Sequence, residues 1–436
     1  MMTGTTLIKQ ARSRKGMTLV EMLVATTITL IMMGLVAQLF GIMGEGVTAS
    51  RSVIETTDQM RAVSHKLRQD LQGLTAIPMP PNRPENDSGY LEIIEGPLKD
   101  KDNLNGLTAD CDDILMFTTR SLGDPFLGKF GASSSIESPY AEVAWFCKEV
   151  STQPIPGLKV YTLYRRQLLS MAYVGASPFQ VNNTKDQVQG GTWSSFYADY
   201  DLSCHLEGAS PIQLYPNSLG DLTKRENRFM HNSSYPYKAT ISSFAGSIND
   251  GEILTVDREG EDIVLTNVIA FDVRVFDPGA PIQISGGYAV TPGDPGYSPP
   301  TPTSVAFGAY VDLGWGTTTL TPIGSTFPPS NETAFQGLGI AVKNGATTNL
   351  LSSPTYDTWS LHYEFNGVDD DSDGQTDEGT NGLDDDLNNL VDEAAERETS
   401  PPYPVPLRGI EIRIRCYEPS SRQVRQVTVR HTFVPH

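Results

Sequence analysis

A run of 23 uncharged residues, from Met22 to Gly44, constrains the fold of this chain more than any other feature. As an α-helix with a rise of about 1.5 Å per residue, it would extend about 34 Å, enough to cross a hydrocarbon core of about 30 Å. Four basic residues and no acidic residue precede Glu21: Lys9, Arg12, Arg14 and Lys15. Because positive charge is retained in the cytoplasm, this pattern predicts a cytoplasmic N-terminus and an exported bulk.

Two features distinguish this region from a Sec signal peptide. A signal peptide has the same basic start, but it has a shorter apolar region followed by a small-residue cleavage site, and neither is evident. In addition, a carboxylate at the start of a membrane helix is costly, which makes Glu21 a candidate functional residue. The alternative is that Glu21 is an interfacial residue at the depth of the lipid headgroups.

The residues before the apolar run resemble a known leader. Gly16 is followed by MTLVE at residues 17–21, as in the class III leaders of type IV pilins and type II secretion pseudopilins. The resemblance implies that a prepilin peptidase cleaves between Gly16 and Met17 on the cytoplasmic side and methylates Met17. It also implies that Glu21 pairs with the N-terminal amine of a neighbouring subunit, which gives a charge in low dielectric an opposite partner. Met17 departs from the phenylalanine that is usual at the first mature position.

The helical pattern continues beyond Gly44. Apolar residues recur at spacings of three, four and seven: Val53, Met60, Val63, Leu67, Leu71 and Leu74. Prolines at positions 78, 80 and 81 then end the helix. A continuous helix from Met17 to Leu74 would extend about 87 Å, and the resemblance implies that its second half lies on a sheet.

Short strand patterns follow the helix without intervening helices. The runs lie at residues 113–119, 140–149, 159–168 and 252–277. In the second run Val143, Trp145 and Cys147 alternate with other residues and form one strongly apolar face. Strands in this order predict an antiparallel sheet in an α+β fold.

The remaining stretches predict two loop insertions and a terminal hairpin. Residues 176–251 are polar and weakly periodic, and residues 278–348 are rich in Gly, Pro, Ser and Thr, so we interpret both as insertions outside the core. Residues 409–434 predict a β-hairpin, because apolar residues alternate with polar ones on both arms. The inward positions of its first arm are Ile410, Ile412, Ile414 and Cys416.

The chain is therefore predicted to consist of a leader at 1–16, a helix at 17–74 with its membrane part at 22–44, and an exported β-rich head at 75–436. The expected fold is α+β and pilin-like, with a long transmembrane and amphipathic helix packed on antiparallel sheet and with large loop insertions. This order of parts resembles the J-type minor pseudopilins of type II secretion, although the chain is longer than a usual pseudopilin.

The resemblance implies a structural subunit of a type II secretion pseudopilus or a type IV pilus. Its partners would be the prepilin peptidase, other pilins or pseudopilins, and the inner-membrane assembly platform. It would be a single-pass protein of the inner membrane with its C-terminal bulk in the periplasm or on the cell surface, associated with a filament after assembly.

An acidic sequence occurs twice within residues 366–395. NGVDDDSDGQTDE begins at Asn366, and NGLDDDLNNLVDE begins at Asn381. The first copy matches the DxDxDG start of a calcium loop, in which alternating oxygen atoms converge on one ion. Neither copy contains His or Cys, so the expected ion is hard, and a structural Ca²⁺ fits best. The candidate ligands are Asp369, Asp371, Asp373, Gln375, Asp377 and Glu378, and then Asp384, Asp386, Asn388, Leu390, Asp392 and Glu393.

These two loops differ from EF-hands. Thr380 and Ala395 occupy the twelfth loop position, where an EF-hand has a bidentate Glu, and the sequence before the first loop is not typical of an entering helix. The loops resemble the non-EF calcium repeats of secreted proteins. The alternative is a solvated acidic linker, and the fifteen-residue recurrence favours calcium over it.

Composition and motifs exclude several functional classes. The net charge is −20, and loss of the four basic leader residues brings it to −24, so the chain has no general basic field for binding nucleic acid. Because no hydrolase, zinc-protease or nucleotide-binding motif occurs, we assign no catalytic residue and predict that the protein is not an enzyme. Four cysteines lie far apart without metal-binding spacing, and either one disulfide or none is compatible with export: Cys111, Cys147, Cys204 and Cys416.

A second function is compatible with the same leader. The protein would be a pilin-anchored surface adhesion or substrate-binding protein, with the insertions forming the binding face. An aromatic cluster in the first insertion would supply contacts, although core packing is the commoner role of such a cluster: Trp193, Phe196, Tyr197 and Tyr200.

Overall fold

The computed structural model describes residues 16–76, 78, 88–96, 110–131, 133–151, 153, 158–172, 193–207, 213–223, 227–229, 258–294, 296–297, 305–315, 355–358 and 407–434. In these residues the fold is α+β, with a long N-terminal helix and a curled antiparallel sheet, which confirms the predicted class.

The helices of the described chain are α1 (Leu19–Gln72) and α2 (Trp193–Asp199), with short 3₁₀ turns at Asp221–Thr223 and Glu259–Asp262. The strands of the first half are β1 (Leu91–Ile94), β2 (Ile114–Arg120), β3 (Phe126–Phe130), β4 (Ser134–Ser138), β5 (Tyr140–Glu149), β6 (Tyr161–Ser170), β7 (Cys204–Glu207) and β8 (Gln213–Pro216). The strands of the second half are β9 (Ile263–Ser285), β10 (Tyr288–Val290), β11 (Ala306–Val311), β12 (Thr355–Asp357), β13 (Gly409–Glu418) and β14 (Gln423–Thr432).

Ten strands form the main sheet. Its order is β12-β1-β2-β5-β6-β9-β13-β14, and the paired strands along this path are antiparallel. The long strand β9 also pairs with β10 and β11. The predicted C-terminal hairpin is present, with Gly409 opposite Thr432 and Glu418 opposite Gln423.

The second half of α1 packs on one face of this sheet. Met60, Val63, Leu67 and Leu71 are buried, as the apolar spacing predicts. The helix ends two residues before the predicted end, because the carbonyl of Gly73 accepts a hydrogen bond from the N–H of Arg120 on β2. A Cβ on Gly73 would collide with the carbonyl oxygen of Arg120, so this close approach of helix and strand needs glycine.

The opposite face of the sheet is also buried. Along β5, Val143 and Trp145 lie on the side of α1, whereas Glu142, Ala144 and Phe146 point away from it, and all five side chains are nearly inaccessible to water. The covering segment consists of residues 193–207, 213–223 and 227–229, which we call the outer layer. Its Ser203 and Phe229 contact Glu142 directly. The sheet therefore lies between α1 and the outer layer.

Two parts of the sequence predicted as loop insertions contribute to the core. In the first, Phe196, Tyr197 and Tyr200 are buried, which agrees with core packing and not with the alternative of surface contacts. The side chain of Trp193 lies outside the described residues. In the second, β9 continues to Ser285 and pairs with β11. The prolines in this stretch suggested a loop, but apolar residues still alternate along its strand: Ala280, Ile282 and Ile284.

The four cysteines are free thiols, and all are buried: Cys111, Cys147, Cys204 and Cys416. Burial raises the pKa of each thiol, because a thiolate would lose its hydration there. The thiols therefore act as small apolar side chains in the core.

Candidate processing and assembly site

The N-terminus of α1 is closed by a reciprocal pair of side chains. Thr18 is the N-cap, and its Oγ1 accepts a hydrogen bond from the N–H of Glu21 at 3.2 Å. The carboxylate of Glu21 accepts bonds from the N–H of Thr18 at 2.9 Å and from its hydroxyl at 3.1 Å. This capping box satisfies backbone donors that the first turn leaves open, and the negative charge suits the positive end of the helix dipole.

Gly16 and Met17 immediately precede this cap. Both are exposed, and within the described chain no atom beyond the adjacent residue lies within 4 Å of a Cβ placed on Gly16. A peptidase needs such room around the bond that it cleaves. Thus the three residues predicted for processing and assembly, Gly16, Met17 and Glu21, lie together at the exposed start of α1.

The first half of α1 has no partner within the described chain. Every residue from Gly16 to Thr48 is exposed, although most of them are apolar. In the described residues this helix is the one element long and apolar enough to cross a membrane. Polar side chains in this half bond to their own backbone: Thr26 and Thr27 donate to the carbonyl of Leu23, and Thr29 to that of Ala25. The segment is therefore suited to an apolar environment supplied by lipid or by other helices.

Residues 11–37 match the family model described as "Prokaryotic N-terminal methylation motif". The chain carries a prepilin leader. Such a leader implies processing by a prepilin peptidase, membrane anchoring through the apolar helix and assembly with other pilins, and it belongs to a structural rather than an enzymatic class of protein. The match covers a small part of the chain. No curated protein and no solved structure matches the chain.

The predicted calcium ligands, which run from Asp369 to Glu393, lie outside the described residues. Within the described chain, carboxylate oxygens of Glu95, Asp110 and Asp113 lie within 4.8 Å of one another, and all three residues are buried. Burial and the neighbouring acids raise the pKa of Asp110 and Asp113. Oxygen donors of this kind suit a hard cation, and a bound proton would relieve the same repulsion.

The contacts between Asp70 on α1 and Arg165 on β6 fix the helix to the sheet, and we call them the clamp. The sequence patterns did not predict them. Asp70 is buried, and its carboxylate accepts two hydrogen bonds from Arg165 on β6, at 2.6 and 2.9 Å. The indole N–H of Trp145 also donates to Asp70 at 3.2 Å, and Lys66 lies 3.6 Å away. The available signal was the position of Asp70 beside Leu67 and Leu71 on the apolar side of the helix.

The sequence patterns also did not predict a buried ion cluster in the outer layer. Arg228 is fully buried and pairs with Glu92 on β1 and Asp357 on β12, at 2.7 Å each. Its guanidinium group lies 3.9 Å from the ring centre of Tyr90. Three segments far apart in sequence meet at this arginine, so the cluster fixes the outer layer to the edge of the sheet.

Proposed function

We propose that this protein is a minor pilin-like subunit of a type II secretion pseudopilus or a type IV pilus, most similar in organisation to the J-type minor pseudopilins. One observation supports this function above the others. A prepilin leader is joined to a single 54-residue helix whose first half is apolar and exposed and whose second half is packed in a β-rich head.

In this proposal the chain is cleaved between Gly16 and Met17, and the first half of α1 anchors the subunit in the inner membrane. The head is exported to the periplasm or the cell surface. During assembly the same helix half leaves the lipid and packs among the helices of other pilins on the assembly platform. Because helix packing and lipid both offer an apolar environment, one sequence serves both states.

Glu21 has the central role in the proposed assembly step. The capping box leaves its carboxylate exposed to a neighbouring subunit, and the new N-terminal amine at Met17 would offer that carboxylate an opposite charge. The competing role is helix capping alone, which Glu21 shares with Thr18. Substitutions at these two positions therefore separate the two roles.

The test is incorporation into filaments in cells that carry the complete assembly machinery. Glu21→Ala should be processed like the wild type but incorporated at least about tenfold less, because an unpaired charge in low dielectric costs several kcal/mol. Thr18→Ala should remain close to the wild type, as should Glu45→Ala, which removes an exposed acid further along α1. Equal losses in Thr18→Ala and Glu21→Ala would leave capping as the role of Glu21.

We also propose that the acidic repeat at residues 366–395 binds structural Ca²⁺. The support is its sequence, in which oxygen ligands alternate and the pattern recurs after fifteen residues. Full-length protein in detergent should melt at a higher temperature in Ca²⁺ than in chelator, because an ion that binds the folded state alone stabilises it.

Substitutions distinguish calcium binding at the acidic repeat from calcium binding at the buried carboxylates of Asp110 and Asp113. The double variant Asp369→Asn/Asp384→Asn should lose most of the calcium effect, whereas Asp110→Asn should keep it. Equal melting temperatures of the wild type in Ca²⁺ and in chelator would contradict the proposal. So would a calcium effect that survives the double variant.

A further inference from the structure

Glu142 lies where three segments far apart in sequence meet. Its side chain, on the central strand β5, is fully buried. Tyr90 Oη donates to Glu142 Oε1 at 2.6 Å, and the N–H of Phe229 donates to the same oxygen at 3.2 Å. Ser203 Oγ donates to Oε2 at 2.8 Å. The carboxyl group therefore connects β5 to the residue before β1 and to two points of the outer layer.

The hydrogen bonds continue from Ser203 into the outer layer. Asn217 Nδ2 donates to Ser203 Oγ at 2.9 Å and to the carbonyl of Asn227 at 2.8 Å. Asn217 Oδ1 lies 2.6 Å from Nδ1 of the buried His205. One connected set of contacts thus joins Glu142 to each of the three segments of the outer layer, and a change at one member affects the others.

Arg228, a cation that acts on Glu142, is already paired with other acids. Arg228 precedes Phe229, and its guanidinium group is held by Glu92 and Asp357 at 2.7 Å each. The charge of Arg228 lowers the pKa of Glu142, but this effect is smaller than that of burial. Arg228 therefore only partly offsets the cost of a carboxylate at this position.

Two other titratable groups lie on this side of the sheet, Tyr90 and Arg166. Burial raises the pKa of Tyr90 well above its ordinary value, so its hydroxyl stays protonated. On the adjacent strand β6, Arg166 lies on the same face and pairs with two acids, Asp201 and Asp262. On β2 the residue opposite Glu142 is Thr118, which does not titrate.

Burial raises the pKa of Glu142 to about 7, although its three hydrogen-bond donors oppose the rise. The geometry offers a place for the carboxyl proton on Oε2, because Ser203 Oγ can accept a bond there while Oε1 keeps the bonds from Tyr90 and Phe229. Protonation of Glu142 thus keeps its bonds from Tyr90 and Phe229 and reverses the direction of its hydrogen bond with Ser203.

We propose that Glu142 is a pH-sensitive latch whose protonated form holds the outer layer on the sheet more tightly than its carboxylate form. When the outer layer detaches, water reaches Glu142, and its pKa returns from about 7 to its ordinary value of 4.5. The attached state thus binds the proton more tightly. Attachment weakens as the pH rises from about 4.5 to about 7 and is constant above that, with a total change of about two orders of magnitude in the attachment equilibrium.

Hydrogen exchange of the full-length protein in detergent, measured from pH 5 to 8 and corrected for intrinsic exchange rates, tests this latch. Protection of peptides from residues 196–207 should fall at least about tenfold relative to the β13–β14 hairpin as the pH rises. Glu142→Gln, which imitates the protonated form, should remove this dependence. A flat wild-type profile, or the same dependence in Glu142→Gln, would overturn the proposal.

Further variants test which group titrates. Tyr90→Phe removes a donor to the carboxylate, so the pKa of Glu142 should rise further and the transition should move to higher pH. A shift to higher pH in Tyr90→Phe would support titration of Glu142 even if Glu142→Gln fails to fold. A shift to lower pH would contradict the latch. Glu149→Gln, on the exposed end of β5, should leave the profile unchanged. A profile that disappears in His205→Asn would assign the titration to His205 instead.

Discussion

The first half of α1 is mostly apolar and exposed, whereas the second half is amphipathic and packs on the sheet. From Gly16 to Thr48 every residue is exposed, whereas from Thr56 to Leu71 one side of the helix is buried against the sheet. The polar side chains of the two halves also differ in their hydrogen-bond partners. Thr26 and Thr27 in the first half bond to their own helix backbone, but Asp70 in the second half depends on Arg165 of the head.

This difference shows that an apolar helix surface does not by itself identify its partner. The second half completes a core within one chain, and its charges are matched by that chain. In the first half the hydroxyls of Thr26, Thr27 and Thr29 bond to the helix backbone, so these groups stay paired both in lipid and among other helices. A subunit that is first anchored and then assembled requires both kinds of surface.

Removal of the Asp70 clamp should have the largest effect on the second half. Asp70→Ala leaves Arg165 partly buried without its bidentate partner, which should cost about 3–5 kcal/mol of the free energy of unfolding. The measurement is denaturant unfolding in detergent, followed by the fluorescence of Trp145, which contacts Asp70. The matched control is Asp58→Ala, since Asp58 is exposed and should contribute below about 0.5 kcal/mol. Similar losses in both variants would mean that the clamp does not fix the helix.

A pair of leucine truncations compares the two halves directly. Leu67→Ala should destabilise the head by about 2–4 kcal/mol, because Leu67 is fully buried and its loss leaves a cavity. Leu35→Ala removes the same atoms from an exposed position of the same helix and should leave head stability within about 0.5 kcal/mol. A head that loses stability in Leu35→Ala would show that the first half also packs within its own chain.

The smallest effect is expected where the two halves meet. Thr56 Oγ1 donates to Glu418 Oε2 at 2.8 Å, which ties α1 to the turn between β13 and β14. Burial raises the pKa of Glu418, but hydrogen bonds from the N–H of Ser420 and from the Thr56 hydroxyl outweigh it and lower the pKa. The contribution of Glu418 to stability is therefore present above its ordinary pKa and is lost as the pH falls below it.

Glu418→Gln should lower stability at neutral pH by less than about 1 kcal/mol and flatten the decline below pH 5, because the carboxylate is partly exposed. Melting temperatures measured from pH 3 to 7 provide the comparison, with Glu137→Gln on exposed β4 as control. If the melting temperature of Glu418→Gln falls below pH 5 as it does in the wild type, Glu418 does not contribute to the acid dependence of stability.

Regular patterns made α1, the strands β2, β5 and β6, and the C-terminal hairpin predictable. The leader residues were predictable too, because a short motif before an apolar run is specific. The Asp70 clamp and the Glu142 latch were not predictable, since a charged residue within an apolar pattern suggests a solvated position. Asp70 and Glu142 instead find partners at Arg165 and Ser203, which lie far away in sequence. Only the folded chain brings these groups together.

The insertions show a second limit of sequence patterns. Prolines and glycines between residues 278 and 311 predicted a loop, yet β9 and β11 form a ladder there because Pro281 occupies a strand position opposite Phe307 and Gly308 takes a positive φ of 96° at a bulge. In the outer layer the chain has weak periodicity because its side chains pack in a thin polar and aromatic cover rather than in a regular element.

Mass spectrometry of the protein extracted from membranes tests the central claim most directly. Cells that contain a prepilin peptidase should yield a chain that begins at methylated Met17 and lacks residues 1–16, and cells without the peptidase should yield the uncut chain. Retention of residues before Met17 in the presence of an active peptidase would contradict the assignment of α1 as the helix of an assembling pilin-like subunit.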